Sequence, residues 1–247
     1  MEKENSDWII GKNALREAIA AEKKIQKVYL SETLEKETLI SLRNLCREAD
    51  IPVLSVPKAK LDSLNRSQHQ GVLALISPVE LYRTSDLADQ LNDRGLVPCL
   101  AVLDSVTDVR NFGAIARSAE VFGIHGIIIG TKNSAPVNQE SIKSSAGALL
   151  RIPLCRENNL TQALRDLKLR GYRIIGAEER GECVPGDMDM NQPLVIVFGS
   201  EGEGISRELR SLIDVFVRIP QKGKVASLNV SVSAAILFYE WMKGQRG

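Results

Sequence analysis

The chain has 247 residues, of which 44% are hydrophobic and 26% charged, and this globular composition argues against a disordered, collagen-like or coiled-coil protein. Its 32 Lys and Arg residues are balanced by 31 Asp and Glu residues, so the formal net charge of +1 provides no global attraction to nucleic acid or to an anionic membrane. Any surface that binds nucleic acid must therefore be a local patch.

Cysteine use and the N-terminal residues indicate the cellular compartment. Cys46, Cys99, Cys155 and Cys183 are scattered without metal-ligand spacing, so we expect neither a disulfide framework nor a metal site. The chain begins with acidic residues instead of an apolar signal peptide, and it contains no run of about 18 apolar residues that could span a membrane. We therefore expect a cytoplasmic protein without a membrane partner.

Short runs rich in Ile, Val and Leu alternate with amphipathic stretches, which predicts an α/β fold with a largely parallel sheet. The pattern predicts helices at residues 13–21, 35–49 and 59–64 and strands at residues 25–30, 52–56 and 71–76. We assign residues 1–77 to a small α/β domain. Residues 78–96 are polar and bounded by Pro78 and Gly95, which predicts a linker containing one helix at residues 85–92.

Residues 97–247 form the predicted second domain. Its apolar runs predict strands at residues 99–103, 126–129, 174–177, 194–198 and 215–219, and residues 151–155 are a possible sixth strand. Three of its segments place glycines or polar residues directly after an apolar strand. Open parallel sheets bind ligands at the carboxyl ends of their strands, so the chemistry is expected in these three segments.

The first segment, residues 103–123, places Asn111 at the start of a helix and Arg117 six residues later. An asparagine in this position is often only an N-cap, and a helical arginine is often a solvated surface residue. However, small residues such as Ala114 and Ala116 flank Arg117, and a guanidinium held on such a packed face suits a phosphate. A functional and a structural interpretation therefore both remain open for Asn111 and Arg117.

The second segment, residues 194–206, is an apolar strand that continues into Gly199, Gly202 and Gly204 and then into a helix. Glycines let backbone N–H groups approach a ligand closely, and a helix start favours anions. A nucleotide-dependent oxidoreductase is an alternative here. It is disfavoured because the glycine order is G-x-x-G-x-G instead of G-x-G-x-x-G, and no Gly-Lys-Ser/Thr follows to make a P-loop.

The third segment, residues 217–241, is a strand, a loop and a helix whose first turn holds Ser227, Leu228, Asn229 and Ser231. Ser227 is the predicted N-cap of this helix. The predicted buried stripe of the helix consists of Val230, Ala234, Leu237 and Trp241. Between the first and second segments, residues 141–153 predict another helix of small residues, whose expected role is close packing.

Taken in order, NFGAIAR, SSAGAL, VIVFGSEGEGIS and RIPQKGKVASLNVSVSAAI resemble the motifs of the SpoU (TrmH) family of RNA ribose 2′-O-methyltransferases in the SPOUT superfamily. Residues 8–76 resemble the ribosomal-protein-like substrate-binding domain of the bacterial branch that methylates guanosine in 23S rRNA. The resemblance implies a SPOUT domain with a deep trefoil knot, S-adenosyl-L-methionine as cofactor, an obligate homodimer and an active site near the dimer interface.

Carried over by position, the resemblance also implies the site residues. The transfer site would be lined by Asn111, Arg117, Glu201, Ser227 and Asn229. The cofactor pocket would be lined by Gly199, Ser200, Gly202, Ile219 and Leu228. Arg117 is often cast as the base in this family, but a guanidinium stays protonated in proteins. We therefore expect Arg117 to bind the target phosphate and to stabilise charge on the 2′-oxygen, while the phosphate or a water takes the proton.

The expected reaction is methyl transfer from S-adenosylmethionine to a ribose 2′-OH, with a guanosine of 23S rRNA as the target. A tRNA ribose 2′-O-methyltransferase and a non-catalytic RNA-binding factor for ribosome assembly are the alternatives. We expect His69 and His125 to be structural residues. The expected basic contacts to RNA are Lys12, Lys58, Lys60, Arg66, Arg110, Lys143, Lys222 and Lys224.

Overall fold

A computed structural model of the chain describes residues 8–21, 23–224 and 227–245. The chain divides into two compact units, Met1–Val79 and Glu80–Gly247. The acidic start of the chain, residues 1–7, and Val225 and Ala226 of the third motif lie outside the described residues. Within the described ranges, no helix is both long enough and apolar enough to cross a membrane.

The first unit is a four-stranded mixed sheet with helices. Its elements are β1 (Trp8–Ile10), α1 (Lys12–Ala20), β2 (Ile25–Ser31), α2 (Lys36–Glu48), β3 (Val53–Val56), α3 (Lys58–Leu64) and β4 (Val72–Ile76). The strand order is β1-β4-β2-β3, in which only β2 and β3 are parallel. Val28 and Val72 of the sheet pack with Leu15 of α1 and Leu42 of α2 in one core. Strand β1 was not predicted, because three residues are too few to show a period.

The second unit contains a seven-stranded sheet. Its elements are β5 (Leu81–Tyr82), α4 (Thr84–Asp93), β6 (Cys99–Leu103), α5 (Val109–Val121), β7 (Gly126–Gly130), α6 (Gln139–Ser144), β8 (Leu154–Glu157), α7 (Leu160–Leu169), β9 (Arg173–Ala177), β10 (Leu194–Phe198), α8 (Arg207–Arg210), β11 (Val215–Val217) and α9 (Val230–Gly244). All pairs in the order β11-β9-β10-β6-β7-β8-β5 are parallel. The predicted α/β class with a parallel sheet is therefore confirmed.

The segment that we interpreted as a linker, residues 78–96, belongs largely to the second unit. Strand β5 pairs with β8 through Leu81 and Leu154, and helix α4 buries Leu87, Ala88 and Leu91 in the core of the large sheet. A two-residue edge strand has no recognisable sequence pattern. The many polar residues of α4 made the segment look like an exposed linker, although one face of the helix is buried. The possible strand at residues 151–155 is β8, which begins only at Leu154.

The arrangement of the strands fixes where a ligand site can lie. From β6 the chain continues to β7 and β8 on one side, and it then crosses to β9 and β10 on the other side, so that β6 and β10 become neighbours. Their sequences, CLAVL and LVIVF, are buried throughout, as expected for central strands. The loops that leave the carboxyl ends of β6 and β10 meet at the switch point where open α/β sheets bind ligands. The trefoil knot stays a prediction.

Candidate active site

The glycine loop that follows β10 is closed by its own backbone. Ser200 and Gly204 exchange two N–H···O hydrogen bonds of 3.1 Å, which leaves residues 201–203 at the tip of the loop. Gly204 has a φ of +69°, a conformation that glycine adopts without strain. A Cβ atom on Gly199 would lie 2.1 Å from the carbonyl carbon of Gly204. Only glycine therefore allows the two ends of the loop to approach this closely.

Asp104 connects this loop to the neighbouring strand. It directly follows β6 and is only 6% exposed. Its backbone N–H donates to the Phe198 carbonyl at 2.8 Å, and its Oδ2 accepts a hydrogen bond of 2.7 Å from the Ser206 N–H. Hydrogen bonds to a carboxylate are among the stronger ones in proteins. Asp104 is thus a structural support of the site, which sequence reasoning missed although the residue follows an apolar strand immediately.

Asp108, not Asn111, caps helix α5. Its Oδ1 accepts hydrogen bonds from the backbone N–H groups of Arg110 at 2.9 Å and Asn111 at 2.8 Å. The interpretation of Asn111 as a possible N-cap is therefore wrong, because a better-placed carboxylate occupies that position three residues earlier. The side chain of Asn111 is free of any capping role and extends from the first turn of α5.

Three predicted site residues from three distant motifs meet at the switch point. The Nδ2 of Asn111 and the Nδ2 of Asn229 both donate to Oε1 of Glu201, at 2.9 and 2.6 Å. The Nδ2 of Asn229 also donates to Oδ1 of Asn111 at 2.9 Å. We call these three side chains the Asn–Glu–Asn network. Its two hydrogen bonds to a carboxylate bring the first, second and third motifs to one point.

Asn229 is also the N-cap of α9. Its Oδ1 accepts hydrogen bonds from the backbone N–H of Ser231 at 2.9 Å and from the Ser231 hydroxyl at 2.5 Å. The prediction that Ser227 caps this helix is therefore wrong, and Ser227 instead lines the cavity described next. The predicted buried stripe of α9 is confirmed at Val230, Ala234, Leu237 and Trp241.

A cavity of about 880 Å³ opens beside the glycine loop. It is lined by all five residues expected to hold the cofactor, which are Gly199, Ser200, Gly202, Ile219 and Leu228. Glu201, Ser227 and Asn229 also line it, so the Asn–Glu–Asn network borders the same cavity. Apolar walls from Val217 and Leu237 suit a flat base, whereas carboxylates suit a ribose and a cationic sulfonium. This mixed lining fits S-adenosylmethionine.

Glu178 and Arg210 line the same cavity and were not predicted. The guanidinium of Arg210 donates to both carboxylate oxygens of Glu178 and lies 4.5 Å from the centre of the Phe216 ring. Its hydrogen bonds with Glu178 raise the pKa of Arg210 above the usual value of an arginine. The available sequence signal was the position of Glu178, directly after strand β9. Nothing in the sequence indicated its partner.

Arg117 does not join the Asn–Glu–Asn network within one chain. Its side chain is exposed, although the neighbouring Ile115, Ala116 and Ala119 are buried. Six residues of α-helix place Arg117 about 120° around the axis from Asn111. Near Arg117, α5 and α9 form a shallow groove of about 410 Å³. The groove is lined by Ala114, Ser118, Ser231, Val232, Ala235, Ile236 and Tyr239.

Both histidines lie outside the cavity lining. Nδ1 of His69 accepts a hydrogen bond from the Gly71 N–H at 3.0 Å, and its Nε2 donates to Asp62 at 2.9 Å. Nδ1 of His125 accepts a hydrogen bond from the Cys99 N–H at 3.1 Å, and its ring packs edge-on against Trp241. Burial lowers the pKa of His125 below its usual value. These contacts are those of residues that support the fold.

Comparison with known proteins assigns the chain to a class of enzyme. The model of the SpoU rRNA methylase family matches residues 98–239, and the model of the RNA 2′-O ribose methyltransferase substrate-binding domain matches residues 8–82. The chain is thus an RNA 2′-O-ribose methyltransferase that uses S-adenosylmethionine. Since the SpoU family model matches more than half of this chain, the chain belongs to the SpoU family.

Individual relatives agree with this assignment. A Staphylococcus haemolyticus protein named as a TrmH family tRNA/rRNA methyltransferase is 36% identical over 232 residues, which are 94% of this chain and 93% of the relative. The structure of an AdoMet-bound rRNA methyltransferase from Sinorhizobium meliloti matches 96% of this chain and 87% of its own, with a TM-score of 0.58 and 22% identity. The A. aeolicus TrmH/SpoU tRNA modifying enzyme matches 66% of this chain and 84% of its own, with a TM-score of 0.55 and 26% identity.

Proposed function

We propose that the protein transfers a methyl group from S-adenosylmethionine to the ribose 2′-OH of a guanosine in 23S rRNA. The observation that carries this choice is the first unit, Met1–Val79, which matches a substrate-binding domain. The A. aeolicus tRNA enzyme covers only 66% of this chain, whereas the S. meliloti rRNA enzyme covers 96%. Because the S. meliloti rRNA enzyme matches nearly the whole chain, this chain resembles the rRNA enzyme in extent more than the tRNA enzyme. We propose guanosine as the target because residues 8–76 resemble the substrate-binding domain of the branch that methylates guanosine.

The cavity beside the glycine loop is the proposed cofactor site. Gly199, Ser200 and Gly202 offer backbone groups, and Ile219 and Leu228 offer apolar walls for the base. When bound, S-adenosylmethionine supplies an electrophilic methyl group on a positively charged sulfonium. Glu201 lies in the same cavity, and its carboxylate balances this charge. A site of this kind needs no contribution from the two histidines.

The proposed transfer site is the Asn–Glu–Asn network together with Ser227 and Arg117. A ribose 2′-OH must lose its proton as it attacks the methyl group in line, so the site has to orient the ribose and stabilise negative charge. Asn111 and Ser227 provide hydrogen-bonding groups for the ribose, and Asn229 holds Asn111 and Glu201 in place through its Nδ2. Arg117 binds the target phosphate and stabilises charge on the 2′-oxygen, and the phosphate or a water accepts the proton.

We propose a homodimer as the working state. The groove between α5 and α9 continues into exposed apolar side chains of the same two helices, namely Val121, Val232 and Tyr239, which are 46–63% exposed. Exposed apolar patches of this kind mark interaction surfaces. A second copy packed on this groove would bring its Arg117 towards the network of the first copy. This arrangement would give the exposed Arg117, which does not join the network of its own chain, a role in the site of the partner. The four free cysteines fit the reducing cytoplasm as the place of action of the protein.

A tRNA ribose is the second candidate substrate, because the S. haemolyticus relative is named for both tRNA and rRNA. The test is to map 2′-O-methylated nucleotides in rRNA and tRNA from cells with and without the gene. We expect one guanosine of 23S rRNA to lose its methyl group when the gene is deleted. Loss of a methyl group from tRNA alone would contradict the rRNA assignment. An assay of methyl transfer from tritiated S-adenosylmethionine by the purified protein, with naked RNA and with ribosomal particles, then shows which form of the RNA is the substrate.

A further inference from the structure

The hydroxyl of Ser231 bonds the end of the Asn229 amide that points away from the network. The Oδ1 of Asn229 accepts the Ser231 hydroxyl at 2.5 Å and the Ser231 backbone N–H at 2.9 Å. Both hydrogens of the Nδ2 of Asn229 are directed to Glu201 and Asn111. Ser231 itself lines the α5–α9 groove and is not among the described residues that line the cavity.

The two ends of an asparagine amide are chemically different, since Oδ1 only accepts hydrogen bonds and Nδ2 only donates them. If the Asn229 amide turned over, its Nδ2 would face the backbone N–H of Ser231, which is also a donor. Its Oδ1 would face the carboxylate of Glu201, which only accepts. The backbone N–H of Ser231 and the Glu201 carboxylate therefore set the direction of the Asn229 amide, and the shorter bond from the Ser231 hydroxyl limits how far the amide can tilt within that direction.

We propose that Ser231 is a positioning residue for methyl transfer, whose hydroxyl holds the Asn229 amide in the orientation that serves Glu201 and Asn111. Ser231 touches neither cofactor nor ribose and acts only through Asn229. The inference rests on the proposed role of the network in transfer. Ser231 lies in the wall of the α5–α9 groove, so the surface that we propose to contact a second copy would also support the transfer site.

The role differs from helix capping, and the difference can be measured. In Ser231→Ala the backbone N–H of residue 231 still donates to Oδ1, so the cap of α9 and the fold are retained. Only the shorter of the two bonds to Oδ1 is lost, so the amide keeps its direction but can tilt away from Glu201 and Asn111. Because misplacing a reacting group by about 1 Å costs up to about 100-fold in rate, we expect kcat to fall about tenfold.

The experiment compares full-length wild type with Ser231→Ala, Ser231→Thr, Asn229→Ala and the double variant Ser231→Ala/Asn229→Ala. Methyl transfer is measured in single turnovers, and binding of S-adenosylhomocysteine is measured by calorimetry. The side-chain amide signal of Asn229 is identified by NMR as the one missing in Asn229→Ala. Ser211→Ala is the matched control, because among the described residues the exposed Ser211 hydroxyl bonds the Glu208 carbonyl and no part of the network. Ser231→Cys keeps the size of the side chain with a weaker donor and replaces Ser231→Ala if that variant does not fold.

We expect Ser231→Ala to lower kcat about tenfold, Ser231→Thr to retain kcat within about twofold, and the double variant to be no slower than Asn229→Ala. Affinity for S-adenosylhomocysteine stays at the wild-type value, and the Asn229 amide signal moves in Ser231→Ala. The proposal is overturned if Ser231→Ala keeps wild-type kcat, or if the two single losses multiply in the double variant. If wild type methylates no RNA, the proposed function fails, and an unmoved Asn229 signal in Ser231→Ala overturns the positioning role separately.

Discussion

The side-chain amide of Asn229 donates a hydrogen bond of 2.6 Å to Oε1 of Glu201, although 28 residues separate them in the chain. Asn229 accepts hydrogen bonds through its oxygen as the N-cap of α9 and donates through its nitrogen into the site. One end of the amide is therefore used for the fold and the other for the candidate chemistry. Sites built in this way on the rigid end of a helix hold their geometry better than sites on loops.

This double use predicts the effect of Asn229→Asp. Aspartate is as good an N-cap as asparagine, so helix α9 should form as in wild type. However, the substitution replaces two donors with a carboxylate beside Glu201, and like charges at this distance repel. We expect kcat for methyl transfer to fall at least about 100-fold.

Single-turnover kinetics and calorimetric melting of the same preparations check this expectation. Asn229→Ser is the companion variant, because serine also caps a helix but provides no amide donors. Retention of more than about a tenth of wild-type kcat by Asn229→Asp would show that the donors of Asn229 are not needed for transfer.

Gly199→Ala tests the closure of the glycine loop. The added methyl group would overlap the backbone of Gly204 and Ile205, neither of which can rotate away. Overpacking of this kind costs about 1–3 kcal/mol of folding free energy. Since the loop also lines the cavity, we expect the affinity for S-adenosylhomocysteine to fall about tenfold or more.

Urea unfolding and calorimetric titration measure the two effects of Gly199→Ala separately. Gly186→Ala is the control, because a Cβ atom there meets no heavy atom within 4 Å and its φ lies outside the left-handed region. Equal stability and equal affinity in Gly199→Ala and Gly186→Ala would mean that the loop adapts to the added methyl group.

The longer strands were largely predictable, because apolar runs such as those of β6 and β10 indicate a buried strand by their composition alone. Strand β5 and the burial of α4 were not predictable, since they depend on pairing with β8, more than 70 residues later in the chain. Edge strands of two or three residues are defined by their partner and not by their own pattern.

The site shows the same limit. Motif resemblance supplied Asn111, Glu201 and Asn229, but not the hydrogen bonds that join them. The cap of α9 was assigned to the wrong residue, and the cap of α5 was not identified, because asparagine, aspartate and serine are all good N-caps and occur within a few positions of each other. Asp104, Glu178 and Arg210 were missed because their partners lie 32–102 residues away. Such pairs are visible only once the strands are in register.

The half-buried imidazole of His125 predicts a dependence of stability on pH. Burial lowers the pKa of His125 below its ordinary value of 6.5, so the folded ring stays neutral at pH values where the unfolded ring is already protonated. In that window the unfolded state binds more protons, and the free energy of unfolding therefore falls as the pH decreases below about 6.5. The contribution of His125 is fully present above this pH and is lost towards the lowered pKa.

Urea unfolding of wild type and His125→Asn at about pH 7.5 and about pH 5.5, at one ionic strength, checks this dependence. The Oδ1 of asparagine can replace Nδ1 as acceptor for the Cys99 N–H, whereas asparagine does not titrate. We expect wild type to lose more stability than His125→Asn between the two pH values. An identical loss in both proteins would assign the dependence to other groups.

The exposed position of Arg117, away from the Asn–Glu–Asn network of its own chain, leads to the last prediction. If Arg117 acts across a homodimer interface, Arg117→Ala removes the guanidinium from the site of the partner, and Asn229→Ala disables the site of its own chain. Each variant alone should then transfer methyl groups at least about 100-fold more slowly than wild type. In a mixed dimer, the site of the Arg117→Ala chain has an intact network and receives Arg117 from the other chain, so this site is complete.

Random exchange of subunits makes half of the dimers mixed, with one complete site in each, so the mixture should recover about a quarter of wild-type activity. Denaturation and joint refolding of the two variants, followed by single-turnover methyl transfer, measures this recovery. Arg117→Ala mixed with Arg117→Ala/Asn229→Ala is the control, because no mixed dimer then contains an arginine at position 117. If Arg117 served its own chain, every site in the first mixture would lack either Arg117 or Asn229, and the activity would stay at the level of the separate variants.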